Sequence, residues 1–166
     1  MGPYRHFIMK KYAVYSFVIS LLWLGFVGAI SFMEAPVKFT APSLTLAVGL
    51  DIGRHVFAAL NKVEITFAAL LALAMLSTQV STRTKRLFLL PLAILLTQTF
   101  WLLPALDARV LIYISGQTPP PSSLHLIYII AEGIKLLSLA LLSWSQLKDF
   151  SQMALLSQAK PSRQAA

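Results

Sequence analysis

From Tyr12 to Met33 the chain runs through 22 residues without a single charged side chain. A helix that crosses a bilayer needs about 20 predominantly apolar residues, whereas a secretory signal has an apolar region of only about 7–15 and a small-residue cleavage site. This stretch therefore reads as a retained membrane span. Ile65–Val80 and Leu87–Leu106 are equally uncharged, and Ser122–Ser145 is broken only by His125, Glu132 and Lys135 among its ionisable positions. The expected fold is all-α: an integral membrane four-helix bundle with spans at about residues 12–33, 61–80, 87–106 and 122–145. Residues 1–150 form its single transmembrane domain, and residues 151–166 a short polar tail.

Composition closes the alternatives. Apolar side chains make up 57% of the 166 residues and charged ones 12%, against about 25% charge in soluble domains. A core of this size hides only about 70% of the surface of its unfolded chain, so the excess excludes both a soluble domain and disorder. Fourteen Lys and Arg oppose six Asp and Glu. In a soluble protein that balance suggests nucleic acid; here it reads as topology, and no nucleic-acid partner is expected. Arg5, Lys10 and Lys11, then Arg83, Lys85 and Arg86, then Lys148, Lys160 and Arg163 fall on one side if the chain crosses four times. Both termini are accordingly expected in the cytoplasm, in the inner membrane of a bacterial cell. Long apolar helices in place of alternating strands exclude an outer-membrane barrel.

Cysteine is absent, which removes disulfides, thiolate zinc sites and cysteine nucleophiles. His6 breaks the myristoylation pattern after Met1-Gly2. The chain carries no GxSxG, phosphate loop, dinucleotide fingerprint, CxxCH or HExxH, so neither an enzyme nor a bound cofactor is expected.

No strong helix breaker lies between Ser43 and Ser77, a run of 35 residues, about 52 Å as a helix. An extended or interfacial helix is expected before the second span, protruding, lying flat, or breaking near Gly49, Gly53 or Asn61. Helices in lipid meet through small residues and interhelical hydrogen bonds. Gly25, Gly28 and Ala29 on the first span and Ala68 and Ala72 on the second offer such faces. Trp23 and Tyr128 sit too deep for interfacial anchors, and Tyr128 needs an interior partner for its hydroxyl.

The fourth span holds the groups that lipid penalises. His125, Tyr128, Glu132 and Lys135 fall within about 80° of one another at 100° per residue, so they share a stripe. An ionised group at mid-span costs roughly 2.5–3.5 kcal/mol. The i, i+3 spacing lets Glu132 and Lys135 meet, with Gln98 and Thr97 or Thr99 of the third span as further partners. The stripe is expected to face the bundle interior or a wet cavity, and its five candidate residues are His125, Tyr128, Glu132, Lys135 and Gln98. It serves either as a structural ion pair or as a ligand or relay site.

A second candidate group, on the outer side, comprises Glu34, Asp51, Arg54, His55 and Glu64. Asp51, Arg54, His55, Asn61 and Lys62 lie opposite Leu50, Val56, Phe57 and Leu60 on an amphipathic helix. Asp51, four residues before His55, is placed to orient the imidazole, and a solvated face with local ion pairs is the simpler reading. Glu34 and Lys38 repeat that spacing. His55 and His125 fall on the same side and are the only pair that suggests haem or metal ligation; no metal site is assigned.

Trp23–Glu64 carries a Gly-rich end of span one, the segment Glu34-Ala35-Pro36-Val37-Lys38-Phe39 and the run Gly53-x-x-Val56-Phe57. With His125 at the head of span four, these resemble the small four-span proteins of the transmembrane protein 205 type and their bacterial relatives. The resemblance implies a four-helix integral membrane protein with no established catalytic activity. The Glu132/Lys135 pair departs from that family's general pattern.

Three functions fit. The protein binds or passes a small solute through a polar bundle interior or acts as an accessory subunit, with a homo-oligomer or a partner membrane subunit as its setting. Alternatively it is a structural or assembly protein without a ligand, or a membrane haem- or metal-binding redox protein.

Overall fold

The computed structural model describes residues 3–77 and 81–158, with side chains placed for 13–76, 81–152 and 155. The side chains of Arg5, Lys10, Lys11, Tyr12, Val80, Lys160 and Arg163, used above for topology and span ends, lie outside the described residues.

The described residues form helices and no strand, arranged as four rods. The first is α1 (Pro3–Val27), a π-helical stretch Gly28–Glu34, the short α2 (Ala35–Val37) and a 3-10 turn Lys38–Thr40. The second is α3 (Leu46–Ser77). The third joins α4 (Thr82–Thr97), a π-helical stretch Gln98–Leu102 and α5 (Leu103–Ile114). The fourth is α6 (Leu124–Gln158). Ala13–Thr40, Leu46–Leu76, Thr82–Ile114 and Leu124–Gln152 are each long and apolar enough to cross a membrane.

Both π-helical stretches end two residues before a proline. A proline lacks the N–H for the usual i→i−4 bond, and its ring collides with the carbonyl four residues back. Those carbonyls belong to Phe32, before Pro36, and Phe100, before Pro104, inside the widened turns. Ala35 N–H instead reaches Ile30 O, and Leu103 N–H reaches Gln98 O, both i→i−5. The helix axis thus passes each proline without ending. The consequence for the third rod is length: it continues beyond residue 106 to Ile114. It stops at Gly116, whose φ of +83° completes a left-handed cap, with Gly116 N–H on Tyr113 O and Gln117 N–H on Ile112 O.

The stretch before the second span is neither broken nor separate. α3 is one helix of 32 residues, about 48 Å long. Gly49 does not interrupt it; a Cβ there would stand 2.4 Å from the Phe39 ring, so the glycine lets the connection from α2 fold back onto the helix. α6 likewise continues into the segment expected as tail, as far as Gln158.

The rods close into a ring. α1 packs against α3 and α6, α6 against α4, and α3 against α5. α3 and α6 therefore face each other across the ring. Trp23, Val27, Ala68, Leu71, Phe88, Leu95 and Leu139 belong to the core. Ala72 packs against that core while Gly25 has open space beside it, so the small-residue face of α3 is used and that end of the α1 face is not. Leu21, Leu70, Leu73, Leu89, Leu137 and Leu141 point outward, which gives every rod an exposed apolar face.

At one end a carboxylate from α6 caps the third rod. Asp149 Oδ2 accepts from Ser81 N–H at 3.1 Å and from the Thr84 hydroxyl at 2.7 Å. Ser81 caps the helix itself, accepting from Thr84 N–H at 3.2 Å. Orphan amides and the positive end of the helix dipole both favour a negative group there.

Candidate functional site

Midway along the bundle each rod places a polar group on the axis. Lys135 Nζ lies 2.5 Å from Glu64 Oε1 and 2.9 Å from Glu132 Oε1, and donates to Gln98 Oε1 at 2.7 Å. An ammonium has three N–H donors, and these three acceptors match that number. Glu132 Oε1 also accepts from Gln98 Nε2 at 2.8 Å, and its Oε2 from the Ser31 hydroxyl at 3.0 Å. Glu64 Oε1 accepts a second bond from Trp23 Nε1 at 2.9 Å. Lys135, Glu64, Glu132, Gln98 and Trp23 are all at most 1% exposed. A buried ion pair survives desolvation only with such a complete set of partners.

The π-helical stretches contribute directly. Ser31 lies within the first and Gln98 opens the second, and both bond Glu132. One step outward, Asn61 Nδ2 donates to Thr99 Oγ1 at 2.9 Å, linking α3 to the same π turn. Thr97 is exposed and donates to Ala93 O, so it takes no part.

A cavity of about 1020 Å³ opens from this cluster toward the end of the bundle that carries α2 and the α5–α6 turn. Ser31, Asn61, Thr99, Tyr128 and Glu132 line it near the cluster, Lys38, Arg54, His55, Arg109 and His125 line it toward the turns, and Lys62 lines it from an exposed position next to Asn61. Between them the walls are mainly apolar, with Phe57, Leu103, Val110 and Ile129. Tyr128 is buried, its ring edge-on to Phe57 at 5.3 Å.

The expected stripe is thus divided. Glu132, Lys135 and Gln98 form the cluster, Tyr128 lies beside it in the cavity wall, and His125 is exposed at the mouth. The expected outer group is divided as well. Glu64 leaves it for the buried cluster. Glu34 pairs with Lys38 at 3.4 Å, and Asp51 pairs with Arg54 at 2.6 Å, which also reaches Asp107 at 3.5 Å. His55 Nδ1 donates to the backbone carbonyl of Asp51 at 2.8 Å, and the Asp51 carboxylate stands 3.7 Å from the ring. Asp51 therefore serves Arg54 before it serves the imidazole. His55 and His125 border the same cavity, and no group of three metal-ligating side chains converges among the described residues.

Glu64, Trp23 and Ser31 are the cluster members that sequence reasoning did not place there. A signal for Glu64 exists: Asn61, Glu64, Ala68, Leu71 and Met75 recur at helical spacing and are all buried. Glu64 belongs to that inward face.

Compared with known proteins, the chain matches no family model, no curated protein and no solved structure.

Proposed function

We propose that this is a multi-pass integral membrane protein that binds or passes a small solute through the cavity ending at Glu132, with no catalytic role. The four apolar rods support membrane residence. The exposed leucines and isoleucines around them suit lipid, and Glu64, Glu132 and Lys135 are turned inward, where hydrocarbon would otherwise penalise them. The positive flanks of the sequence favour the inner membrane of a bacterial cell with both termini in the cytoplasm. On that topology the cavity opens away from the cytoplasm. The resemblance to the transmembrane protein 205 type agrees with this architecture.

The observation that carries the solute reading is the shape of the polar site. A charged cluster needed only for packing would be sealed, whereas this one borders a cavity of about 1020 Å³ through Glu132 and Ser31. Ligand sites are typically concave, mostly apolar and furnished with a few convergent polar groups. Four rods without a repeat make a poor lone transporter, so a homo-oligomer or a partner membrane subunit completes the setting.

The absence of cysteine makes the test direct. Single cysteines at Ala58 and Leu103, in the cavity wall, are expected to react with a membrane-impermeant maleimide added outside the cell. A cysteine at Leu137, on the outward apolar face, is expected to remain unlabelled. Labelling of Leu137→Cys with protection of both cavity positions defeats the reading, and a carboxyl-terminal reporter active outside the cell defeats the topology.

A further inference from the structure

The half of the bundle away from the cavity holds a buried amide without a partner among the described residues. Gln146 on α6 is 2% exposed, and neither its Nε2 nor its Oε1 makes a hydrogen bond. At 100° per residue Lys135, Leu139, Leu142 and Gln146 fall within about 60° of one another. The amide therefore lies on the side of α6 that Lys135 turns to the bundle axis, about three turns or 16 Å further along. Leu139 and Leu142, both fully buried, separate the two. Buried polar groups are as a rule hydrogen-bonded, and the Lys135 cluster obeys that rule; Gln146 calls for a partner of its own.

Short polar side chains stand at the same level. Ser31 bonds Glu132 and Gly28 lies against Leu136, so the first rod runs antiparallel to α6. Carried back along α1, that register brings Gln146 level with the stretch that holds Ser16 and Ser20. Both serines are buried, and both fall within about 60° of Trp23, whose indole points inward to Glu64. The Ser16 hydroxyl donates to Ala13 O at 3.1 Å and the Ser20 hydroxyl to Ser16 O at 3.0 Å. Each has thereby spent its one proton and offers its oxygen as an acceptor. These short side chains do not reach the amide themselves, so a bridging molecule is required between them. The Glu64–Lys135 contact sets the register of α3, which runs parallel to α6 and brings Met75 to the level of Gln146. Met75 is 6% exposed and belongs to the same core as Leu71, Leu139 and Leu142.

We infer that Gln146 holds an internal water site on the bundle axis, faced by Ser16 and Ser20 and sealed from the Glu64–Lys135–Glu132 cluster by Leu71, Leu139 and Leu142. Water suits the groups present: it accepts from Nε2 and donates to Oε1 and to a serine oxygen, the three bonds that a buried water typically makes. Given the reading of the cavity as a solute site, hydrogen-bonding groups then stand on both sides of an apolar collar. That is the layout of a passage closed at its middle, whereas a binding pocket alone has no use for polar groups beyond its floor.

X-ray radiolysis of the full chain in phosphatidylcholine nanodiscs tests the site, because hydroxyl radicals formed from a bound water oxidise the side chains beside it. Met75 is the reporter, and fully buried Leu139 is the negative control. Oxidation of Met75 well above that of Leu139 is expected, with a several-fold loss in Gln146→Leu. Ser16→Ala with Ser20→Ala keeps the amide and removes two acceptors; it is expected to lower Met75 oxidation as well, and it serves if Gln146→Leu does not fold. Unoxidised Met75 in the unmodified chain overturns the site, as does oxidation that is equal in the unmodified chain and both variants, which marks bulk water entering from the end. Maleimide labelling at Ala58 and Leu103 reads the cavity separately. Its loss with Met75 oxidation retained leaves the water site standing without a solute cavity, and its retention with Met75 unoxidised leaves a pocket without this passage.

Discussion

Glu64 and Lys135 meet at 2.5 Å from helices that face each other across the ring, α3 and α6, and the contact is fully buried. With Glu132 on the other side of the ammonium, two carboxylates share one cation. The arrangement ties opposite corners of the bundle through a single nitrogen atom, which makes Lys135 the group whose loss is hardest to accommodate.

Lys135→Met leaves two buried carboxylates facing each other without their shared cation. A loss of about 3–5 kcal/mol is expected, as for other buried pairs broken on one side. Replacing Glu64 and Glu132 by Gln in the same chain removes the stranded acids, and most of that loss is expected to return. Thermal unfolding in detergent, followed by size-exclusion, compares the two. If the triple variant folds and a cellular phenotype is lost, the cluster acts in function; a retained phenotype assigns it to packing.

Trp23→Phe keeps the ring packed in the core and removes one of the two donors to Glu64 Oε1. Hydrogen bonds to charged groups contribute about 1.5–3 kcal/mol, so a stability loss in that range is expected from the same unfolding assay. Trp101→Phe, whose side chain is exposed on the third rod, is expected to change stability little.

Gly49→Ala would raise helix propensity by about 1 kcal/mol at an ordinary helical position. Here its Cβ would come within 2.4 Å of the Phe39 ring, and overpacking commonly costs about 1–3 kcal/mol. Net destabilisation is expected. Adding Phe39→Ala clears the collision, so the double variant is expected to be more stable than Gly49→Ala alone; equal values would show that the ring moves aside freely.

Asp149→Asn keeps the shape of the cap on α4 and removes its charge. Ser81 N–H and the Thr84 hydroxyl both lose an anionic acceptor. A penalty of about 1 kcal/mol is expected from the cap and helix dipole together, visible as faster hydrogen exchange at residues 81–86 with the rest of α4 unchanged.

The four rods were legible in the sequence because length, charge and hydropathy act locally: any chain with these apolar runs must make helices in lipid or bury them. The inward direction of Glu132 and Lys135 followed in the same way, since an ion at mid-span has only protein to turn toward, and Gln98 was found as a neighbour because it is the amide opposite them. Sequence reading stopped the third rod near Leu106 and allowed a break before the second span, because proline and glycine signal a stop only where the neighbouring turn cannot adjust. The π turns ahead of Pro36 and Pro104, and the Phe39 ring laid over Gly49, supply that adjustment. Glu64 stood at the edge of an apolar run, and one helix by itself does not say which side of the edge is inside. That was decided only when the ring closed, because the register between α3 and α6 depends on how all four rods pack, and it set the Glu64 carboxylate beside the Lys135 ammonium.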